Sequence, residues 1–116
     1  MALEITEREL QGVYVLLLQG RLVLGGESSR FRTTVETLLS KGATRIVVSL
    51  YDVNSIDTTG LGSLIDALQG SKARGGLLKL ASLSPRLMRV LQSSDLKRMF
   101  EIFPTEATAI QSFWSN

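Results

Sequence analysis

The chain of 116 residues contains no cysteine and no histidine. Without cysteine there is no disulfide, no thiolate metal site and no cysteine nucleophile. Without histidine the Ser-His-Asp triad, the commonest general base and the commonest zinc ligand all fall away. Any enzyme chemistry would have to come from carboxylates, lysine or hydroxyls. An excess of one charge is missing too: 13 basic residues stand against 11 acidic ones, and a net charge of +2 does not argue for nucleic acid. Long apolar runs are absent. The longest, Val13 to Leu18, falls far short of the roughly 20 residues of a membrane helix. The opening segment carries Glu4, Glu7 and Glu9 where a signal peptide needs a basic start and an apolar core. The expectation is a soluble, cytoplasmic protein with no membrane insertion. Apolar residues at 44% and charged residues at 21% give an ordinary globular balance, which excludes disorder. The length suits one domain over residues 1–116.

Proline occurs twice, at Pro85 and Pro104, and both positions read as helix starts. Ser84-Pro85 pairs an N-cap serine with a proline at the first helical position. Pro104-Thr105 opens a last helix with Ile110, Phe113 and Trp114 turned inward. Before them, Leu3 and Ile5 alternate with polar neighbours, Gln11-Gly12 reads as a turn, and Val13 to Leu18 is rich in β-formers: an opening hairpin. From Ser28 the period changes. Phe31, Val35, Leu38 and Leu39 share one face of a helix that Gly42 stops. Ile46 to Leu50 is short and nearly continuous in apolar residues, as in a central parallel strand covered on both faces. After a polar loop, Leu61, Leu64, Ile65 and Leu68 mark a second helix, Leu77 to Ala81 another strand, Leu87, Met88 and Leu91 a third helix, and Phe100 to Phe103 a last short strand. The order ββαβαβαβα predicts one α/β domain with a mixed sheet and helices chiefly on one face.

The distinctive stretch is Ser55-Ile56-Asp57-Thr58-Thr59-Gly60-Leu61-Gly62. It lies between a buried strand and a helix start, at the carboxyl end of the strand, where sites in open α/β sheets tend to lie. Asp57, Thr58 and Thr59 are three successive candidates for the helix cap. Gly60 and Gly62 are expected to leave the backbone accessible. A phosphate on a threonine here would add nearly two negative charges at the positive end of a helix. The helix would tolerate it, whereas a partner docked on that end would meet new bulk and charge. Plain capping accounts for the same residue types. Gly60-x-Gly62 fits neither a dinucleotide nor a Walker pattern, so no cofactor is expected.

The wider pattern is Gly20-Arg21-Leu22, Arg45 to Leu50, Val53-x-x-Ile56-Asp57-Thr58-Thr59-Gly60-Leu61-Gly62, Leu83-Ser84-Pro85-Arg86 and Leu96-x-x-x-Phe100-Glu101-Ile102-Phe103. Together these blocks resemble the STAS domain, and more narrowly the bacterial anti-sigma factor antagonists, from about Leu3 to Trp114. The resemblance implies a protein-binding module, not an enzyme. Its partner would be an anti-sigma factor that is also a serine/threonine kinase. The unmodified antagonist would capture that partner and free a sigma factor for transcription. Phosphorylation would release the partner, and a phosphatase would reset the antagonist. By position the acceptor is Thr59, directly before Gly60, with Thr58 the second choice and Asp57 the acidic neighbour. The partner surface implied is Asp57, Thr58, Thr59, Gly60 and Leu61, joined by Arg86 and Arg89. The sequence departs from the family pattern at several points. Threonine replaces the more usual acceptor serine, and Val23 stands where many relatives carry aspartate. Ser49 stands where Asp or Asn is common, and Asp95 where glycine is frequent.

Three further features of the sequence each have two readings. Asp52 and Asp57 flank a short connection and could pair for acid/base work or Mg²⁺, but loop and cap roles explain them better, so no catalytic or metal residue is expected. From Ser71 to Met99 seven basic residues (Lys72, Arg74, Lys79, Arg86, Arg89, Lys97, Arg98) face Asp95 alone. Solvated helix faces explain this; a basic surface steering an acidic partner is the sharper account. Phe113 and Trp114 read as core cover before a weak homodimer contact. The competing function is a STAS accessory subunit of a membrane transport assembly, which would not need a phosphorylatable residue before Gly60.

Overall fold

The computed structural model describes residues 3–93 and 98–114. Its elements run β1 (Glu4–Leu10), β2 (Val13–Leu22), α1 (Gly26–Ser40), β3 (Arg45–Ile56), α2 (Thr58–Ala73), β4 (Leu77–Ala81), α3 (Pro85–Ser93), β5 (Ile102–Phe103) and α4 (Glu106–Ser112). The predicted ββαβαβαβα order is borne out. The opening hairpin is antiparallel, and its turn residues Gln11 and Gly12 both take positive φ, 54° and 80°. Two such residues match the twist of the flanking strands. The remaining pairs, β2 with β3, β3 with β4 and β4 with β5, are parallel, so the sheet is mixed in the order β1-β2-β3-β4-β5.

Strand alternation splits the core into two layers. Leu16, Leu18, Ile46, Val48 and Leu80 face α1, α2 and α3, which contribute Phe31, Val35, Leu38, Leu64, Leu68, Leu87 and Leu91. Val13, Val15, Val47 and Ala81 face the other way and are covered by Ala109 and Ile110 of α4. Three helices thus cover one face and one covers the other. Ile46 to Leu50 is central and buried throughout, as its apolar continuity predicts. The Ser84 cap is also as expected: its hydroxyl accepts from the Leu87 amide at 3.2 Å.

Several local expectations are corrected. The strand expected to end at Leu50 continues to Ile56, because β2 continues beside it to Leu22 and pairs with it through two register shifts. At each shift β3 carries an extra residue, which bends and twists the ribbon. Pairing with β4 stops at Ser49, so Leu50 to Ile56, on the order of 20 Å of chain, has β2 as its strand neighbour. The first helix starts at Gly26, two residues before Ser28. The last strand is confined to Ile102–Phe103, and Phe100 is buried in the main core ahead of it. Trp114 is 49% exposed, not inward. It lies past the end of α4, near the Gly12 turn, with the Arg45 guanidinium 4.2 Å above its ring.

Candidate functional site

The paired ends of β2 and β3 deliver two turns side by side, Val23 to Gly25 and Asp57. Of the three candidate caps, Asp57 takes the role. Its backbone is extended (φ −115°, ψ −174°), and its Oδ1 accepts the Gly60 amide at 2.8 Å. Its Oδ2 accepts the Leu24 amide from the neighbouring turn at 2.9 Å. One carboxylate therefore ties both turns together. These amides, the Leu24 one foremost, hold the Asp57 carboxyl below the usual carboxylate range. The ionised form is the one the folded chain selects.

Because Asp57 caps the helix, the threonine hydroxyls are left over. Thr58 is exposed and Thr59 half-buried, and neither hydroxyl takes a hydrogen-bond partner among the described residues. Both stand in the first turn of α2, whose amides favour negative charge. Leu61 is half-buried and packs on the main core, so part of its side chain serves the fold.

Gly60 corrects the expectation of an accessible backbone. It is buried, and a Cβ added there would lie 1.9 Å from the Leu22 carbonyl oxygen and 2.9 Å from Ile56 Cγ1. The glycine lets the first turn of α2 close against the end of β2. Gly62 is half-buried, and a Cβ there would meet only the Arg32 guanidinium, at 3.8 Å.

Arg86, exposed at the start of α3, donates to the Asn54 carbonyl at 3.3 Å, which brings it beside the end of β3. Arg89 is exposed and makes no ion pair among the described residues. The rest of the basic stretch is dispersed. Arg74 pairs with Glu36 at 2.6 Å across α1 and α2. Lys79 is buried beneath α4, where it donates to Ser112 at 2.8 Å, pairs with Glu101 at 3.2 Å and lies 4.2 Å from the Phe113 ring. It is not part of a basic surface. Lys97 and Asp95 lie outside the described residues. Asp52 accepts from Gln19 on the strand ribbon at 3.3 Å, a separate neighbourhood from the Asp57 cap. A groove of about 650 Å³ between α1 and α2 is lined by Arg32, Glu36, Asp66 and Gly70 among others, and by none of the predicted site residues. Among the described residues no helix is long and apolar enough to cross a membrane, and no group of three His, Cys, Asp or Glu could hold a metal ion. The sequence does not mark one neighbour of the site: Leu24, 72% exposed on the turn that Asp57 holds. A lone apolar residue before Gly25-Gly26 carries no periodic signal that would mark it.

The model of the STAS domain matches residues 4–109. The chain is a STAS-domain protein. A protein of Thermotoga neapolitana, provisionally named an anti-sigma factor antagonist, is 34% identical over 76 residues, 66% of this chain and 67% of that one. The anti-sigma-B factor antagonist of Bacillus subtilis is 36% identical over 64 residues, 55% of this chain and 59% of that one. Among solved structures, a provisionally named antagonist of Thermotoga maritima has a TM-score of 0.87 at 28% identity, covering 93% of this chain and 92% of that one. The Bacillus SpoIIAA protein in its phosphorylated form shares the fold, with a TM-score of 0.74 at 23% identity over 95% and 99% of the two chains. The sequence relatives are anti-sigma factor antagonists and do not favour a transport subunit, although the fold itself is shared with a sulfate transporter family protein of Wolinella succinogenes at a TM-score of 0.78 and 20% identity.

Proposed function

We propose that this STAS domain is a phosphorylation-switched binding module. Unmodified, it captures an anti-sigma factor that is also a serine/threonine kinase, and so frees a sigma factor for transcription in the cytoplasm. Phosphate on Thr59 ends the capture, and a phosphatase restores it. The module acts by binding, not by catalysis. The docking surface is the segment Asp57–Leu61 with the exposed start of α3, Arg86 and Arg89.

The observation that carries this reading is the division of labour at the start of α2. Asp57 supplies the cap, so the Thr59 hydroxyl has no structural bond to lose when it is modified. The helix end suits a dianion, while a partner seated there does not. Thr59 is preferred to Thr58 because it directly precedes Gly60, the acceptor position that the family resemblance implies. Solved SpoIIAA structures in unphosphorylated and phosphorylated forms show that this fold accommodates both states in that protein.

The test is incubation with each purified kinase-type anti-sigma factor of the source genome and ATP, followed by mass spectrometry of Ile56–Leu61. One phosphate on Thr59 is expected. Thr59→Ala should take none and bind its partner constitutively, and Thr58→Ala should still be modified. Phosphate incorporation that survives Thr59→Ala and disappears in Thr58→Ala would refute the assignment. Equal binding of unmodified and fully phosphorylated protein would refute the switch.

A further inference from the structure

We propose that Leu24 is the apolar anchor of the docking surface, inserted into an aliphatic-sized pocket of the kinase-type partner. The inference rests on the proposed function for the identity of that partner. Leu24 is 72% exposed, more than any other described leucine. A single exposed leucine is unremarkable in itself; what distinguishes this one is that its backbone is fixed on every side. Its amide donates to Asp57 at 2.9 Å. The carbonyl before it, on Val23, accepts the buried Ser28 hydroxyl at 2.6 Å. The residue after it, Gly25, holds φ at 119°, a conformation that favours glycine. The backbone of Leu22, two residues earlier, is in close contact with Gly60. The side chain is thus presented to solvent on a backbone already ordered, which lowers the entropy cost of docking.

Continuity with the acceptor identifies the occupant. The same carboxylate that holds Leu24 holds Gly60, so the Leu24 turn and the Thr58–Thr59 segment form one surface. A partner that senses phosphate on Thr59 extends onto Leu24. The turn Val23-Leu24-Gly25-Gly26 carries no charge, so recognition there is apolar, in contrast to the Arg86 and Arg89 side. A small central apolar contact sheltered from water typically dominates an interface and acts through the dissociation rate.

The experiment measures binding kinetics of unphosphorylated wild type, Leu24→Ala and Leu24→Met to each purified kinase-type anti-sigma factor of the source genome. Unfolding midpoints serve as a control, and all three should coincide because the side chain is exposed. Leu24→Ala should raise the dissociation rate about tenfold or more. Leu24→Met, of similar volume, should stay within about threefold of wild type. If wild type binds and Leu24→Ala binds as tightly, the anchor is refuted and the proposed function stands. If wild type binds none of the kinases, both are refuted.

Discussion

Adding one methyl group at Gly60 should do the opposite of adding one at Gly62, although both glycines lie in the first turns of α2. Helix propensity alone favours alanine at either place by about 1 kcal/mol. At Gly62 a Cβ meets only the Arg32 guanidinium at 3.8 Å, an ordinary contact. Gly62→Ala should therefore gain about 1 kcal/mol. At Gly60 the Cβ would lie 1.9 Å from the Leu22 carbonyl oxygen, about 1.5 Å inside ordinary contact. The obstruction is backbone, so no rotamer relieves it. The helix start cannot retreat freely either, because Asp57 ties it to Leu24 and to Gly60 itself. Overpacking costs about 1–3 kcal/mol, and a backbone clash belongs at the upper end. After the propensity gain, Gly60→Ala should lose about 2 kcal/mol. A domain with the usual 5–15 kcal/mol, roughly, survives that loss. With a urea slope of about 1.5 kcal/mol per M, the two variants' midpoints should differ by about 2 M, Gly62→Ala the higher. Urea unfolding followed by circular dichroism measures it. A Gly60→Ala midpoint equal to or above wild type would show that α2 does not rest on β2 as described.

Three other perturbations have definite signs. Arg89→Glu, and Arg86→Glu beside it, should slow association with an acidic partner about tenfold at low salt and flatten the salt dependence; stopped-flow rates that do not change would remove the arginines from the docking face. The Asp57 carboxyl titrates below its ordinary value, so its stabilising effect is complete above an unfolded-state pKa of about 3.9 and is lost as pH falls through the lower folded value. The stability gap between wild type and Asp57→Asn should then be flat above about pH 5 and shrink below about pH 4; a gap that widens on acidification contradicts the hydrogen-bond assignment. Lys79 sits among Phe103, Phe113 and the aliphatic residues under α4. Lys79→Met should stay within about 1 kcal/mol of wild type, because shape is kept and Glu101 remains largely in water. Lys79→Ala should cost about 2–4 kcal/mol through the cavity it leaves, and equal urea midpoints for the two would refute that account.

The sequence is most legible where one physical cause dominates. Continuous apolarity marks Ile46 to Leu50, and the pairing of a serine cap with proline marks the start of α3. It is least legible where a distant neighbour decides. Tyr51, Asp52 and Asn54 look like loop residues, yet they are strand because β2 runs alongside them and their face is left to solvent. Gly60 looks like an opening in the backbone, and the Leu22 carbonyl makes it a close-packed contact. Lys79 looks like one more surface charge, and α4 covers it with Ser112 and two aromatic rings. Trp114 looks like core, and the chain leaves α4 before the indole reaches it. At the candidate site Asp57 and the proposed acceptor Thr59 stand together in the sequence. The adjacent turn does not, because Leu24 and Asp57 are 33 residues apart.

The link between those two turns bears on how a switch can work without moving the fold. A threonine in the cap position would offer a single side-chain oxygen, whereas Asp57 offers two, and each accepts an amide from a different turn. Capping and joining are thereby concentrated in a carboxylate, which a kinase that transfers phosphate to serine or threonine hydroxyls does not modify. A phosphate on Thr59 would meet two opposing influences: attraction from the first-turn amides of α2 and repulsion from the Asp57 carboxylate. Solvent and salt screen both at an exposed helix start. The folded chain thus has little reason to rearrange, and the new charge is felt mainly by whatever is docked on the surface. The expected consequence is that Thr59→Glu keeps the wild-type circular dichroism spectrum and a urea midpoint close to wild type, yet loses much of its affinity for the kinase-type partner. Its single charge imitates phosphate incompletely, so a residual affinity is consistent with the mechanism. A Thr59→Glu protein that binds poorly because it has unfolded would place the acceptor in the structural machinery of the helix start, and would refute the separation of roles argued from Asp57.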